Sequence, residues 1–344
     1  MGRRSLAGLL LVGVAFATPG VAAAVTVTPG GIGDALIFPL IEVTNIDTLI
    51  AIESFTNRTA LHRVRFRDAA TGNSVLEFTL CLVPGSTWTA AVLRVGSVTK
   101  VSSSSSSALL INGVPGPLDT TLTGNPTRAF LEVIGLRATT TPGTDTAICT
   151  DASLGGDAVN TSLMGKVYYV SGASIPPLAY ATSAVALKDF SAVKIPDTET
   201  VFGNDAVALA LIAQGSGNPP SQSIAFSTRY FVPASLEAVT QVVLSFPTGP
   251  NSMACPSCRV PSNFSILPFT EPGAPLATID LPSDTSLVRV ITLSSADIAN
   301  DSGVLDIFET SEPLVSIPVV GYGINTTTPS APLFFNALFP LGID

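Results

Sequence analysis

The chain of 344 residues has room for one large or two ordinary domains and a sizeable core. Its 46% hydrophobic content argues against disorder, and 16 basic against 25 acidic residues, net −9, argue against a nucleic-acid partner, which needs clustered cations. Charged residues make up only 12%, against a usual level of about 25%, so Ser, Thr, Asn, Gly and small apolar side chains must cover a surface that repels copies of itself weakly.

Arg3 and Arg4 form a positive start, Leu6 to Ala17 an apolar stretch of signal-peptide length, and Ala22-Ala23-Ala24 a small-residue cleavage site. Residues 1–24 are therefore expected to be a signal peptide. Val25 follows the site, where a lipoprotein needs Cys. Removing Arg3 and Arg4 leaves 14 basic and 25 acidic residues, a net charge of about −11. No later run reaches the roughly 18 apolar residues of a spanning helix, so the mature chain is expected to carry no transmembrane helix.

The stretch GIGDALIFPLIEVTNIDTLIAIESFTN, Gly31 to Asn57, is nearly uncharged. Pro39 and the turn-forming Thr44 to Asp47 divide it into two strands, Ala35 to Val43 and Thr48 to Thr56. Both read as apolar on each face, which predicts a central position in a sandwich and asks what covers the second face, this chain or the next copy of it. His62 to Asp68 alternates, with Val64 and Phe66 predicted inward and Arg63, Arg65 and Arg67 outward. Val75 to Val83 continues the pattern, and Gly72-Asn73 supplies the turn of a β-hairpin over Leu61 to Val83. Further strands are predicted at Arg128 to Ile134, Lys166 to Ser171, Ala179 to Leu187, Ser223 to Phe231, Val239 to Phe246, Val288 to Leu293, Val304 to Phe308 and Leu314 to Val320.

Short strands between Pro- and Gly-rich turns predict an all-β fold, with antiparallel β-sandwiches, long loops and one or two short helices. The helices are placed at Asn204 to Gly215, with an Asn cap and a Gly stop, and, as one or two turns, at Ser294 to Asp301. Ser102 to Ser107, Asn112 to Thr127, Thr139 to Gly156 and Gly249 to Pro275 read as loops. The expected division is an N-terminal sandwich over 25–200 and a C-terminal β-rich part over 201–344, or else one continuous sandwich. An outer-membrane barrel fits poorly: aromatics are 7%, Trp88 is the one tryptophan, and prolines interrupt many strands.

Chemistry is sparse. His62 is the only histidine and reads as a surface strand residue rather than a catalytic base, with no G-x-S-x-G elbow beside it. Cys81, Cys149, Cys255 and Cys258 allow three pairings. The expected one is Cys255–Cys258 as a local staple and Cys81–Cys149 as a longer bridge. The C-P-S-C element lacks the helical setting of a redox motif and the second ligand pair of a zinc site. Asp301, Asp306, Glu309 and Glu312 lie close in sequence, which by itself does not place two carboxylates in one cleft. Neither calcium, phosphate nor dinucleotide motifs are found, so no metal, no cofactor and no catalytic residue is expected. Sequons stand at Asn57, Asn160, Asn263, Asn300 and Asn325.

The blocks GIGDALIFPLIEV, DTLIAIESFTN and VRFRDAATGNSVLEFTLCLVPGSTWTA, with GKVYYVSG, LAYATSAVALKDF and PVVGYG further on, resemble an uncharacterised group of exported bacterial β-rich proteins. The resemblance implies export and a β-rich fold and carries over no catalytic residue.

The expectation is an exported structural or assembly protein, extracellular, cell-surface or periplasmic, that meets copies of itself by strand addition and has no enzymatic activity. The segment from Val25 is either a donor strand for the next copy or this chain's own edge strand. The alternative is a secreted adhesive or carbohydrate-binding sandwich using Trp88, Tyr168, Tyr169, Tyr180, Tyr230 or Tyr322. Mass spectrometry of the exported protein is expected to give a chain beginning at Val25; a mass that retains residues 1–24 contradicts the signal-peptide reading.

Overall fold

Period-two alternation becomes twenty-three short strands, every pair antiparallel, with no α-helix among the described residues. The computed structural model describes residues 26–29, 31–44, 46–57, 59–104, 109–111, 114–115, 117–138, 154–158, 162–171, 178–188, 224–246, 263–309, 320–326 and 335–338. The expected signal peptide, the helix expected at Asn204 to Gly215, nearly all of the strand expected at Leu314 to Val320, and Cys149, Cys255 and Cys258 lie outside them.

The strands up to residue 188 are β1 (Thr26–Pro29), β2 (Ala35–Glu42), β3 (Asp47–Ser54), β4 (Ala60–Asp68), β5 (Ser74–Leu82), β6 (Thr87–Val95), β7 (Val98–Ser103), β8 (Leu109–Ile111), β9 (Val114–Pro115), β10 (Leu118–Thr121), β11 (Arg128–Ala138), β12 (Leu154–Ala158), β13 (Leu163–Ser171), β14 (Leu178–Ser183) and β15 (Val185–Lys188). From residue 224 follow β16 (Ile224–Phe231), β17 (Val239–Ser245), β18 (Phe264–Thr270), β19 (Ile279–Asp280), β20 (Val288–Ser294), β21 (Ser302–Glu309), β22 (Val320–Thr326) and β23 (Phe335–Leu338).

They make four sheets: a nine-stranded one in the order β1-β15-β2-β11-β4-β5-β8-β9 with β12 on β11, a six-stranded one β10-β7-β6-β3-β13-β14, and two of four, β16-β21-β18-β19 and β20-β17-β22-β23. The first two stack as a sandwich. A Cβ built on Gly165 of β13 would stand 2.6 Å from Phe38 Cζ and 3.0 Å from Leu36 Cδ1 of β2, and Phe78 of β5 packs on Trp88 of β6 with ring centroids 5.7 Å apart. In the later pair of sheets, Phe246 and Phe264 pack at 5.8 Å. The Arg289 guanidinium lies over both rings, 5.2 and 5.0 Å from their centroids.

One hydrophobic cluster runs through both sandwiches. Tyr169 donates its hydroxyl to Leu40 O at 2.8 Å and hydrogen-bonds Tyr322 across the two halves. The Leu287 N–H donates to Ala69 O at 2.7 Å.

The hairpin over Leu61 to Val83 forms as β4 and β5. Asp68 accepts from the Ala70 and Thr71 N–H groups, and Gly72 takes φ +74°, where the turn needs a left-handed residue. Pro39 sits inside β2 because the ladder is interrupted there. The register with β11 shifts between Ala129 and Leu131, so Pro39 and Leu40 face the single Phe130, a bulge that tolerates a residue without an N–H.

Several expectations are corrected. The single strand predicted over Ala179 to Leu187 breaks at buried Ala184, so that β14 belongs to the six-stranded sheet and β15 to the nine-stranded one. The one or two helical turns expected at Ser294 to Asp301 are a single hydrogen-bonded turn, held by Ser294 and Asp297; a 3-10 turn not expected from the sequence lies at Ala234–Leu236. Stretches read as loops contain β9, β10 and β18 and the start of β12, and β7 reaches into the serine run. β3 is not apolar and buried on both faces: Ile50, Ile52 and Ser54 are buried, while Leu49 is exposed.

β2 answers the question its sequence raised. All eight residues are buried, and the strand packs against β13, β17 and β22 of its own chain. Gly165→Ala should destabilise the fold by roughly 1–3 kcal/mol, because the added methyl meets Phe38 and Ala184. Urea denaturation reads this as a lower midpoint; a raised midpoint, as unfolded-state entropy alone gives, contradicts the close approach.

Candidate functional site

His62 is the first residue to place. It is 0% exposed, on the face of β4 that carries Val64 and Phe66, in register with Leu80 of β5. The expectation of a surface residue is therefore corrected: the imidazole is part of the core. Burial lowers its pKa from 6.5 to about 4, with the Leu80 backbone acting in the opposite direction. It is neutral at physiological pH and has no access to a substrate.

The arginine stripe is the second correction. Arg65 and Arg67 are 1% and 2% exposed, not outward in solvent. They do lie opposite the Val64 and Phe66 face, but that face is covered too. Arg65 is in register with Glu77 of β5 and with Glu132 of β11. Its Nε donates to Glu77 Oε2 at 2.8 Å, and Arg67 Nε donates to Glu132 Oε2 at 2.7 Å. Arg67 also donates to Gly72 O at 2.9 Å, which ties the pair to the hairpin turn. Arg63 pairs with Glu77 as well, and Arg128 with Glu42 at the end of β2.

Burial pushes the Glu132 carboxyl up against the pull of Arg67 and Arg65, and burial lowers Arg65. Such a pair is costly to break, about 3–5 kcal/mol if one partner is removed. Its signal was legible: Glu77 and Glu132 each stand alone in an apolar run, VLEF and FLEVI.

The other candidates do not converge. Asp306 accepts from Ser227 at 2.6 Å, Asp301 is exposed, and the Glu309 side chain and Glu312 lie outside the described residues. Among the described residues no three His, Cys, Asp or Glu side chains group as metal ligands, and no helix is long and apolar enough to cross a membrane. Cys81 is buried and disulfide-bonded; Cys149, Cys255 and Cys258 lie outside the described residues. Trp88, Tyr169, Tyr230 and Tyr322 are buried and Tyr168 is exposed, while the Tyr180 side chain lies outside the described residues. Asn325 is buried and accepts from the Thr240 hydroxyl at 2.6 Å, whereas Asn57 and Asn263 are exposed. Thr26–Pro29 pairs with β15, the edge-strand alternative of the two expected for this segment.

Among the described residues, apolar side chains are left exposed on the outer face of the six-stranded sheet. Leu49 of β3 lies in register with Tyr168 of β13 and Ala91 of β6. Leu49 is 38% and Tyr168 37% exposed. By alternation Phe55, Val95, Lys166 and Glu53 share this face, and Phe55 and Val95 are exposed. The arrangement suits broad apolar contact and has no cleft chemistry. No family model matches the chain, and no curated protein is found to match it.

The histidine sets a pH dependence. Its folded pKa of about 4 lies below the unfolded 6.5, so the unfolded chain takes the proton first. Stability is complete above pH 6.5 and falls as pH drops toward 4, by roughly 3 kcal/mol. Urea unfolding of wild type and His62→Leu at pH 7 and 4.5 should show the smaller loss in the variant; equal losses contradict the buried neutral imidazole.

Proposed function

We propose that this is an exported structural or assembly protein of the cell surface or extracellular space, related to the exported bacterial group it resembles, without catalytic activity. The observation that carries the reading is where the reactive groups go. The sole histidine and the most buried arginines and glutamates stand inside sheets as framework, while a sheet face with exposed Leu49 and Tyr168 is left bare.

Three further features support it. A charged fraction of 12% leaves little electrostatic barrier between copies. A signal-like start and a disulfide-bonded Cys81 fit an oxidising compartment. With export, the proposed pairing is Cys81–Cys149 and Cys255–Cys258. The burial of four of the six tyrosine and tryptophan side chains removes most of the aromatic platform a carbohydrate-binding sandwich would use.

Cell fractionation with electron microscopy tests this. The mature chain is expected outside the cytoplasm and, when concentrated, in assemblies larger than one chain. A protein retained in the cytoplasm, or monodisperse monomers at all concentrations, overturns the reading.

A further inference from the structure

Strand β1 is joined to the fold by a very short connection. It pairs antiparallel with β15, and β15 pairs antiparallel with β2, so β1 and β2 run parallel with β15 between them. Only residues 30–34 lie between Pro29, the end of β1, and Ala35, the start of β2. Parallel strands of one sheet are ordinarily joined by a crossover of about a dozen residues or more. Part of this connection is also pinned. Gly33 exchanges backbone hydrogen bonds with Leu163 of β13 at 3.0 and 2.8 Å, and the Asp34 N–H donates to Leu187 O of β15 at 2.7 Å. Gly33 passes so close to β15 that a Cβ there would stand 2.6 Å from Leu187 O and 2.7 Å from Leu187 N. That leaves residues 30–32 to carry the chain back from the end of β1.

The place β1 fills is one the sheet needs filled. Successive backbone groups of a strand point to opposite sides. Leu187 O is taken on the β2 side by Asp34, so Ala186 and Lys188 turn toward β1, in register with Thr28 and Thr26. Ala186 is 0% exposed. Without β1 its N–H and C=O would form an unpaired strand edge, which is a template for another strand. β1 itself is the end strand of the nine-stranded sheet and pairs with β15 alone among the described strands.

Resting on the assembly reading above, we infer that in the assembled protein the seat on β15 is filled by β1 of a second copy of the chain. The register is the one the single chain shows, with Thr26 on Lys188 and Thr28 on Ala186, now between copies. The pairing broken and the pairing made are the same, so exchange costs little in backbone bonding. What changes is the connection. A donated β1 runs outward from Gly33 and no longer has to return across its own β15, and a short hinge of this kind favours exchange. The occupant is fixed by the pairing itself, because the seat already holds this sequence in this register. The self-seated strand is the form of the isolated chain, and the donated strand links one copy to the next.

Thiol cross-linking and sedimentation velocity on the mature, disulfide-intact chain test this, with circular dichroism to verify folding. One variant carries Thr26→Cys and a second carries Lys188→Cys. When the two are mixed dilute, concentrated together and oxidised, only pairing between copies brings these positions together. The mixture is expected to give a reducible two-chain product, well above that from Val95→Cys mixed with Lys188→Cys. Lengthening the connection after Gly31 by about six Gly and Ser residues lets β1 return to its own chain without crowding. That variant is expected to self-associate at least about tenfold more weakly than wild type. If the wild type associates and the Thr26→Cys and Lys188→Cys chains join no more than the control pair, β1 is not exchanged, while the assembly reading stands. Association unchanged by the longer connection overturns the short hinge as the cause of exchange. A wild type that stays monomeric at every concentration overturns both the exchange and the assembly reading.

Discussion

Both faces of β2 must be buried, and the rest of the fold is arranged around that requirement. Leu36, Ile37, Phe38, Leu40 and Ile41 are each 4% exposed or less. Their burial contributes roughly 8–15 kcal/mol before the entropy of ordering is subtracted, as much as the net stability of a typical domain. One sandwich layer cannot supply two covers. The six-stranded sheet closes one face through β13, where Gly165 lets Phe38 and Leu36 approach its backbone. Strands from the later half, β17 and β22, also pack against β2, and Tyr169 and Tyr322 join the halves by their hydroxyls. Coverage of β2 from within the chain frees the opposite side of the six-stranded sheet for other contacts.

The charged layer follows from the same constraint. At Arg65 and Arg67 the outer side of β4 is covered as well, so these two arginines have no solvent to point into. Each of Arg65 and Arg67 therefore meets a glutamate on a neighbouring strand, at 2.8 and 2.7 Å. These pairs are weak evidence for stability as such, because desolvation offsets their attraction. Their value lies in register: a one-residue slip of β4 would turn both arginines into the inner apolar core beside Trp88 and Phe78.

Much of the fold was legible because period-two alternation is a local property. The hairpin of β4 and β5 was readable from its alternation and from Gly72-Asn73, and the all-β architecture from the spacing of strands and turns. What alternation does not reveal is whether the polar side of a strand meets water. HRVRFRD has the same pattern on a solvated face as on a buried, ion-paired one, and only the isolated Glu77 and Glu132 in apolar runs distinguish the two. The same limit misplaced His62, which stands at the head of an arginine-alternating stretch in sequence and beside Val64 and Leu80 in space. In β3 the error ran the other way: Leu49 looks like core and lies on the bare face. The break at Ala184 left no local mark either, since a strand that changes sheets keeps its β propensity on both sides.

This chain covers β2 by itself and leaves Leu49 and Tyr168 exposed. Hydroxyl-radical footprinting of the dilute protein separates the two surfaces directly. Phe38 is expected to be unmodified and Tyr168 modified. Modification of Phe38 in the dilute, folded protein, or an unmodified Tyr168, would contradict it.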